Sequence, residues 1–162
     1  MSQAKLRKPS TYSIVVASAI LVTALVLRIV QAVDAQRPHL AEITVAGRIF
    51  RAEVADTAAK QTQGLSGRAA LAPDQAMYFP MARPDRWAFW MKDMRFPLDI
   101  VWIQGGKVLG VAADLPPPNS GELPRTVVPE GPADAVLEIN ANQAAQSGIV
   151  PGVDVKIRSL GR

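Results

Sequence analysis

The chain has 162 residues, which is enough for one domain and a short targeting or anchoring segment. Its 18 Lys and Arg residues outnumber its 14 Asp and Glu residues, but residues 1–35 contain four of the basic residues and only one acidic residue. Residues 36–162 therefore carry 14 basic and 13 acidic residues and are nearly neutral. A nearly neutral domain without a basic run offers no electrostatic footprint to nucleic acid, which excludes that class of function.

The sequence contains no cysteine and a single histidine, His39. The lack of cysteine excludes disulfides, thiolate nucleophiles and thiolate-bound zinc or iron–sulfur sites. His39 lies in a predicted linker, residues 36–40, so a Ser-His-Asp mechanism would lack its base. Any catalysis would then depend on carboxylate, Lys, Tyr or Ser side chains.

Residues 1–35 have the pattern of a signal peptide or a signal anchor. Residues 9–27 are uncharged and follow a basic cluster of Lys5, Arg7 and Lys8. As a transmembrane helix rising about 1.5 Å per residue, this stretch would nearly span a bilayer core of roughly 30 Å, with its N-terminus in the cytoplasm. Residues 33–35 permit cleavage after Ala35, whereas Arg28 argues against a cleavable signal, so both fates remain open. Both predict a periplasmic or extracellular domain, released or anchored in the cytoplasmic membrane.

Residues 41–162 are predicted to form one β-rich domain. Alternating apolar residues indicate a hairpin around Ala46 and Gly47, and Asp56 or Thr57 can cap a short helix that ends at Gly64. Many short strands between close turns predict a β-sandwich or a compact barrel with short helical corners. The other predicted strands are residues 77–81, 87–91, 98–104, 107–113, 135–140 and 153–158, with a helix at 141–147 and an exposed loop at 116–121.

Residues 86–99 are the most informative stretch of the chain. They contain two of the three tryptophans, several charged residues and a turn set by Pro97. In a strand, Trp87, Phe89 and Met91 would share one face, while Trp90 and Lys92 would share the other. Large apolar groups on both faces indicate a strand that is covered on both sides, so charges close to it need partners.

Seven short segments carry a resemblance to a known family: residues 54–57, 64–68, 77–79, 89–94, 97–99, 136–139 and 148–149. With these segments in this order, the sequence resembles the Domain of Unknown Function 192 (DUF192) family over essentially all of residues 41–160. It departs from residues that are common in the family at Ser66, Ala76 and Asn142. The resemblance implies a mainly β fold and frequent export, and it brings no settled activity.

Seven residues are candidates for a binding site or for a structural polar cluster. In one interpretation, Arg68, Asp99 and Glu138 form a buried charge cluster that fixes strand register. In another, Arg68 binds an anionic group, Trp90 stacks on a small ligand or envelope partner, and Asp99 or Glu138 orients it. The full set is Arg68, Trp90, Met91, Lys92, Asp93, Asp99 and Glu138.

Two alternative hypotheses involve chemistry. Asp99 and Glu138 could be the acid and base of a hydrolase that acts on an envelope glycan, as paired carboxylates are in glycosidases. A second hypothesis is Cu(I) binding, because soft thioether sulfur suits this ion, although methionine is more often a filler of apolar cores. The four thioethers are those of Met77, Met81, Met91 and Met94. The sequence favours binding over catalysis and predicts no cofactor.

Overall fold

The structure is a computed structural model that describes residues 20–29 and 38–161. Residues 20–29 are helical, and no helix within the described residues is long and apolar enough to cross a membrane. Most of the predicted leader, including the cleavage site after Ala35, lies outside the described residues. The chain divides into two units, Met1–Arg37 and Pro38–Arg162, and the second contains the strands.

Residues 38–161 form nine strands and two short helices. The strands are β1 (Leu40–Val45), β2 (Arg48–Val54), β3 (Gln75–Asp85), β4 (Phe89–Trp90), β5 (Leu98–Gln104), β6 (Lys107–Leu115), β7 (Thr126–Val127), β8 (Ala133–Asn140) and β9 (Val155–Gly161). The helices are α1 (Ala58–Gln63) and α2 (Gln143–Ser147). This content confirms the predicted mainly β fold with short helices.

Seven of these strands form one sheet in the order β6-β5-β8-β3-β2-β1-β9, while β4 and β7 pair separately. Only β2 and β3 run parallel; the other neighbours in the sheet are antiparallel. An isolated bridge joins Lys107, at the start of β6, to Asp154, just before β9. The two edges of the sheet therefore meet at one corner, which curls the sheet toward closure.

The predicted local signals at the start of the domain are confirmed. Ala46 and Gly47 have φ angles of 50° and 76°, the left-handed values that a tight hairpin turn needs. Thr57 caps α1 by accepting a hydrogen bond from the backbone N–H of Lys60 at 3.3 Å. Gly64 ends the helix with a φ of 52°, a value that side chains disfavour.

Other boundaries differ from the prediction. Strand β3 continues to Asp85, and only Phe89–Trp90 of the predicted strand 87–91 is extended and paired. Its partner is β7, Thr126–Val127, which the sequence did not predict because a two-residue strand has no measurable periodicity. The pairing of β4 with β7 places the aromatic segment outside the main sheet.

Two apolar clusters lie on opposite faces of the sheet, and strand β8 shows the division. Its residues Leu137 and Ile139 belong to the first cluster, which also contains Phe50, whereas Val136 belongs to the second. Because side chains alternate along a strand, Glu138 lies on the same face as Val136. The second cluster also contains Leu65, Leu71, Met77, Phe79, Met91, Met94, Leu98 and Trp102.

Candidate functional site

A cavity of about 370 Å³ opens on the face of the second cluster, between α1 and residues 87–90. Its walls are mainly aromatic and aliphatic, and the rings of Phe79 and Phe89 meet edge to face with centroids 5.0 Å apart. Apolar walls with few polar groups are typical of small-molecule sites. The lining residues are Ala58, Gln61, Thr62, Gln63, Leu65, Ser66, Phe79, Met81, Trp87, Ala88, Phe89, Trp90, Met94 and Glu138.

Glu138 contributes the carboxyl group of this cavity. It comes from β8, where it pairs with Met77 of β3 on one side and Ile100 of β5 on the other. The residue is 5% exposed, and its Oε2 atom is buried without a hydrogen-bond partner among the described residues. Burial raises the pKa of Glu138 to about 8, and attraction to Arg68 opposes this rise. The carboxyl group is therefore mostly protonated at neutral pH.

The end of helix α1 passes close to this carboxyl group. A Cβ atom placed on Gly64 would lie 3.6 Å from Glu138 Oε2 and 3.6 Å from the ring of Phe79. The positive φ of Gly64 and this close approach both favour glycine at the position. Because Gly64 has no side chain, the end of α1 can pack directly against the carboxyl group of Glu138.

Arg68 is paired with a carboxylate other than the predicted ones. Its Nη1 and Nη2 atoms donate to Oε1 and Oε2 of Glu53 at 2.6 and 2.8 Å. This bidentate hydrogen bond lowers the pKa of Glu53 and raises that of Arg68. Arg68 does not line the cavity, and it acts on Glu138 through electrostatic attraction.

Asp99 is fully buried, but its partners are backbone groups. Its Oδ1 accepts the N–H groups of Asp114 at 2.8 Å and Asn142 at 3.1 Å, and its Oδ2 accepts that of Ala144 at 2.8 Å. The carboxylate thus holds the start of α2 against β5 and β6. None of these partners is Arg68, which the predicted charge cluster would require.

Asp99 and Glu138 do not face one another. Asp99 pairs with Ile139 in the sheet, whereas Glu138 pairs with Ile100, so the two carboxyl groups project from opposite faces. Arg68, Asp99 and Glu138 are therefore not one charge cluster. The same separation removes the geometric basis for an acid–base pair made of these two residues.

The remaining predicted residues lie in the segment that forms one wall of the cavity. Trp90 lines the cavity and is 49% exposed, and Lys92 Nζ lies 5.6 Å from the centroid of its ring. Met91 is buried in the second cluster. The carbonyl group of Asp93 accepts the N–H of Gly67 at 2.9 Å. Of the seven predicted residues, only Trp90 and Glu138 line the cavity. Met91, Lys92 and Asp93 belong to the segment beside it, whereas Asp99 projects from the other face of the sheet.

The second wall was missed by sequence reasoning. Gln61, Gln63 and Ser66 come from α1 and the turn after it, and nothing in their spacing indicates a site. The two walls are tied together because Ser66 Oγ donates to the carbonyl oxygen of Lys92 at 2.7 Å. These segments meet only through the tertiary fold, so a local pattern could not have predicted their contact.

The four methionines of the copper hypothesis belong to the apolar packing of this face. Met77, Met91 and Met94 are buried in the second cluster, and Met81 packs against it. Met81 and Met94 also line the cavity. Their neighbours are apolar, which agrees with the use of methionine as an adaptable filler of cores.

His39 has specific contacts that its predicted linker position did not indicate. Its Nδ1 lies 3.2 Å from Oδ2 of Asp56, and its Nε2 lies 3.1 Å from Oγ of Ser159. This is the order of a Ser-His-Asp triad, but Asp56 also accepts a hydrogen bond from Lys60 Nζ at 2.7 Å, and none of the three lines the cavity. We assign the arrangement a structural role, since it connects the start of β1 to the cap of α1 and to β9.

Fold and site together define a small, mainly β domain with a largely apolar cavity around one buried carboxyl group. The model of the DUF192 family, described as "Uncharacterized ACR", matches residues 41–157, and the chain belongs to this family. Nothing among the curated proteins matches it.

Two solved structures have a similar fold. One is a protein of unknown function from Novosphingobium aromaticivorans DSM 12444, which is 36% identical, with 77% of this chain and 96% of that chain covered and a TM-score of 0.65. The other, from Sinorhizobium meliloti 1021, is described as a "putative transcription regulator"; it is 25% identical, with 75% of this chain and 96% of that chain covered and a TM-score of 0.66.

Proposed function

We propose that this domain is a non-catalytic module that binds a small organic ligand in the cavity between α1 and residues 87–90. The observation that carries the proposal is the buried Oε2 of Glu138, which has no hydrogen-bond partner among the described residues. An unsatisfied buried polar atom costs about 1–3 kcal/mol, and such atoms are uncommon in native proteins. A ligand that donates a hydrogen bond to Glu138 offsets this cost.

The walls of the cavity support the same proposal. Trp90 is a large aromatic residue that remains 49% exposed at the cavity, where a ligand can stack on it. The ties between the segments around residues 66 and 92 hold both walls in place without a ligand. A preformed apolar cavity with one polar group needs little reorganisation when it binds a ligand.

The proposal also places this domain outside the cytoplasm, and its support is the sequence of residues 1–35. The basic cluster and the uncharged residues 9–27 favour export, with this segment kept as a transmembrane helix or removed as a signal peptide. The ligand is then a periplasmic or extracellular small molecule, or a small group presented by an envelope partner.

The location can be tested with one introduced cysteine, because the chain has none of its own. Leu123 is 89% exposed, so Leu123→Cys provides a unique accessible thiol. We expect a membrane-impermeant maleimide to label this variant in intact cells as well as in lysed cells. Labelling that occurs only after lysis would place the domain in the cytoplasm and contradict this part of the proposal.

Ligand binding can be tested by native mass spectrometry of the full chain purified from its own cells. Ala58 and Ala59 are exposed neighbours on α1, and only Ala58 lines the cavity. We expect a defined small-molecule adduct on the wild type and on the variant Ala59→Trp. The variant Ala58→Trp should lack the adduct, because its indole group would occupy part of the cavity. An empty wild type, or an adduct that persists equally in both variants, would refute binding in this cavity.

A further inference from the structure

We infer that the ligand carries a primary ammonium group that donates a hydrogen bond to Glu138, while an apolar body lies among the aromatic side chains of the cavity. This inference rests on the proposed function and adds the chemical class of the ligand. Its starting point is the unpartnered Oε2 of Glu138. In its ionised form this carboxyl group only accepts hydrogen bonds, so a ligand that stabilises the ionised form must donate one.

Three side chains with hydrogen-bond donors, two of them in the lining of the cavity, already donate elsewhere. Arg68 uses both Nη atoms on Glu53. The side-chain amide of Gln61 donates to the carbonyl oxygen of Pro80 at 3.1 Å. The hydroxyl group of Ser66 donates to the carbonyl oxygen of Lys92 at 2.7 Å. The cavity therefore presents an acceptor that none of these three side chains satisfies.

The charge of the lining favours a cation over an anion. Among the described residues that line the cavity, Glu138 is the one titratable group; the rest are apolar or neutral and polar. A ligand carboxylate or phosphate would meet no positive side chain in the lining. An ammonium group would meet a carboxyl group that becomes charged to match it.

The aromatic walls favour the same choice. The faces of aromatic rings are electron-rich and attract cations, most strongly in the case of tryptophan. Lys92 Nζ lies 5.6 Å from the ring centroid of Trp90, and Arg83 Cζ lies 5.8 Å from that of Trp87. Each of these two rings already has a protein cation over one face, whereas the described residues place no cation over the rings of Phe79 and Phe89, which a ligand ammonium group can approach.

This type of binding is linked to a proton. Without a ligand, burial keeps Glu138 mostly protonated at neutral pH. The charged groups around the cavity are Arg68, which attracts the ionised form of Glu138, its partner Glu53, and Lys92 above Trp90. An ammonium ligand binds the ionised form, so its binding releases the proton of Glu138. Its affinity should therefore rise by up to about tenfold per pH unit below pH 8 and level off above it.

Calorimetric titration of the full chain with phenethylammonium and with its neutral analogue 2-phenylethanol tests this inference. At pH 8 we expect the amine to bind at least tenfold more tightly than the alcohol. At pH 7 we expect binding of the amine to release close to one proton, measured in two buffers of different ionisation enthalpy. Phenethyltrimethylammonium, which has no N–H donor, should bind more weakly than the primary amine.

The variant Glu138→Gln keeps the shape of the side chain and removes its charge. We expect it to bind the amine at least tenfold more weakly and without proton release, whereas exposed Glu122→Gln, outside the lining, behaves as the wild type. If Glu138→Gln does not fold, Ala58→Trp takes its place and should block both the amine and the alcohol.

The outcomes separate the two proposals. If phenylacetate or 2-phenylethanol binds as tightly as the amine and Ala58→Trp blocks it, the cavity binds ligands but the ammonium inference is wrong. If the adduct found by native mass spectrometry is lost from Ala58→Trp but contains no amine, the same conclusion holds. If no probe binds and the purified wild type is empty, both proposals fail, and water suffices as the partner of Glu138.

Discussion

Asp99 and Glu138 are buried carboxyl residues on adjacent strands, and they differ in what surrounds them. Asp99 accepts three backbone N–H groups and projects from one face of the sheet. Glu138 projects from the other face, into an apolar cavity, and its Oε2 has no partner among residues 20–29 and 38–161. The two residues were predicted as members of one cluster, yet the fold gives them different environments.

This difference shows that burial alone does not distinguish a structural carboxylate from a functional one. A carboxylate that accepts several backbone N–H groups compensates its own desolvation and fixes the chain around it. A buried carboxyl group that lacks such donors remains protonated unless a bound ligand stabilises its ionised form. Asp99 therefore has a structural role, and Glu138 is the carboxyl group that the proposed ligand would bind; the following variants test this distinction.

The largest effect is expected for Asp99→Ala. The change removes three hydrogen bonds to a charged acceptor and leaves buried N–H groups near α2 without a partner. We expect the free energy of unfolding to fall by about 3–5 kcal/mol, measured by urea denaturation. Exposed Glu130→Ala is the control and should stay within about 0.5 kcal/mol of the wild type. A loss below about 1 kcal/mol in Asp99→Ala would break the distinction between the two carboxyl groups.

Local signals in the sequence were sufficient for most of the fold. Alternation located β1 and β2, because each strand has one buried face and a definite turn beside it. Strand β5 is buried along nearly its whole length, and its apolar run ahead of the turn at Gly105 and Gly106 located it. The strand predicted at residues 87–91 is too long, because all five residues are apolar while only Phe89 and Trp90 are paired in β4. An apolar pattern indicates that a segment is buried, but it does not show why. In residues 87–91 the burial comes from packing beside the cavity as well as from strand pairing.

The site could be predicted only in part. Trp90 and Glu138 were named from the sequence because large aromatics and acids in apolar strands are conspicuous. The ion pair between Arg68 and Glu53 was missed. Glu53 belongs to β2, and its distance from Arg68 depends on the pairing of β2 with β3, which the sequence does not show. The face on which Asp99 projects was also missed, because it depends on the register between β5 and β8.

Glu138→Gln is expected to change how stability depends on pH. The folded pKa of about 8 exceeds the usual value of 4.5, so the native state binds more protons than the unfolded state between these values. Wild-type stability should therefore fall as pH rises from about 4.5 to 8, by on the order of a few kcal/mol, and then level off. Chemical denaturation at several pH values measures this slope.

The control for this prediction is the comparison of the Glu138→Gln and wild-type stability curves across the same pH range. Glu138→Gln has no titrating group at this position, so its stability should lack the decrease over that range and exceed that of the wild type at pH 8. The lowered pKa values of Glu53, Asp56 and Asp154 affect stability at more acidic pH, because that contribution is lost as pH falls. Parallel pH profiles of wild type and variant would show that Glu138 is ionised in the native protein.

The smallest effect is expected for Arg68→Met, which tests how separate the Glu53 pair is from the cavity. The side chains of Arg68 and Glu53 are 33% and 36% exposed, so loss of their ion pair should cost no more than about 1 kcal/mol. Removing the positive charge should also raise the pKa of Glu138 further, which moves the end of the stability decrease above pH 8. Urea denaturation across pH measures both effects, with Arg83→Met as the control because its ion pair with Asp85 is more exposed. A loss well above 2 kcal/mol would mean that Arg68 directly compensates Glu138, and this carboxyl group would then not need a ligand as its partner.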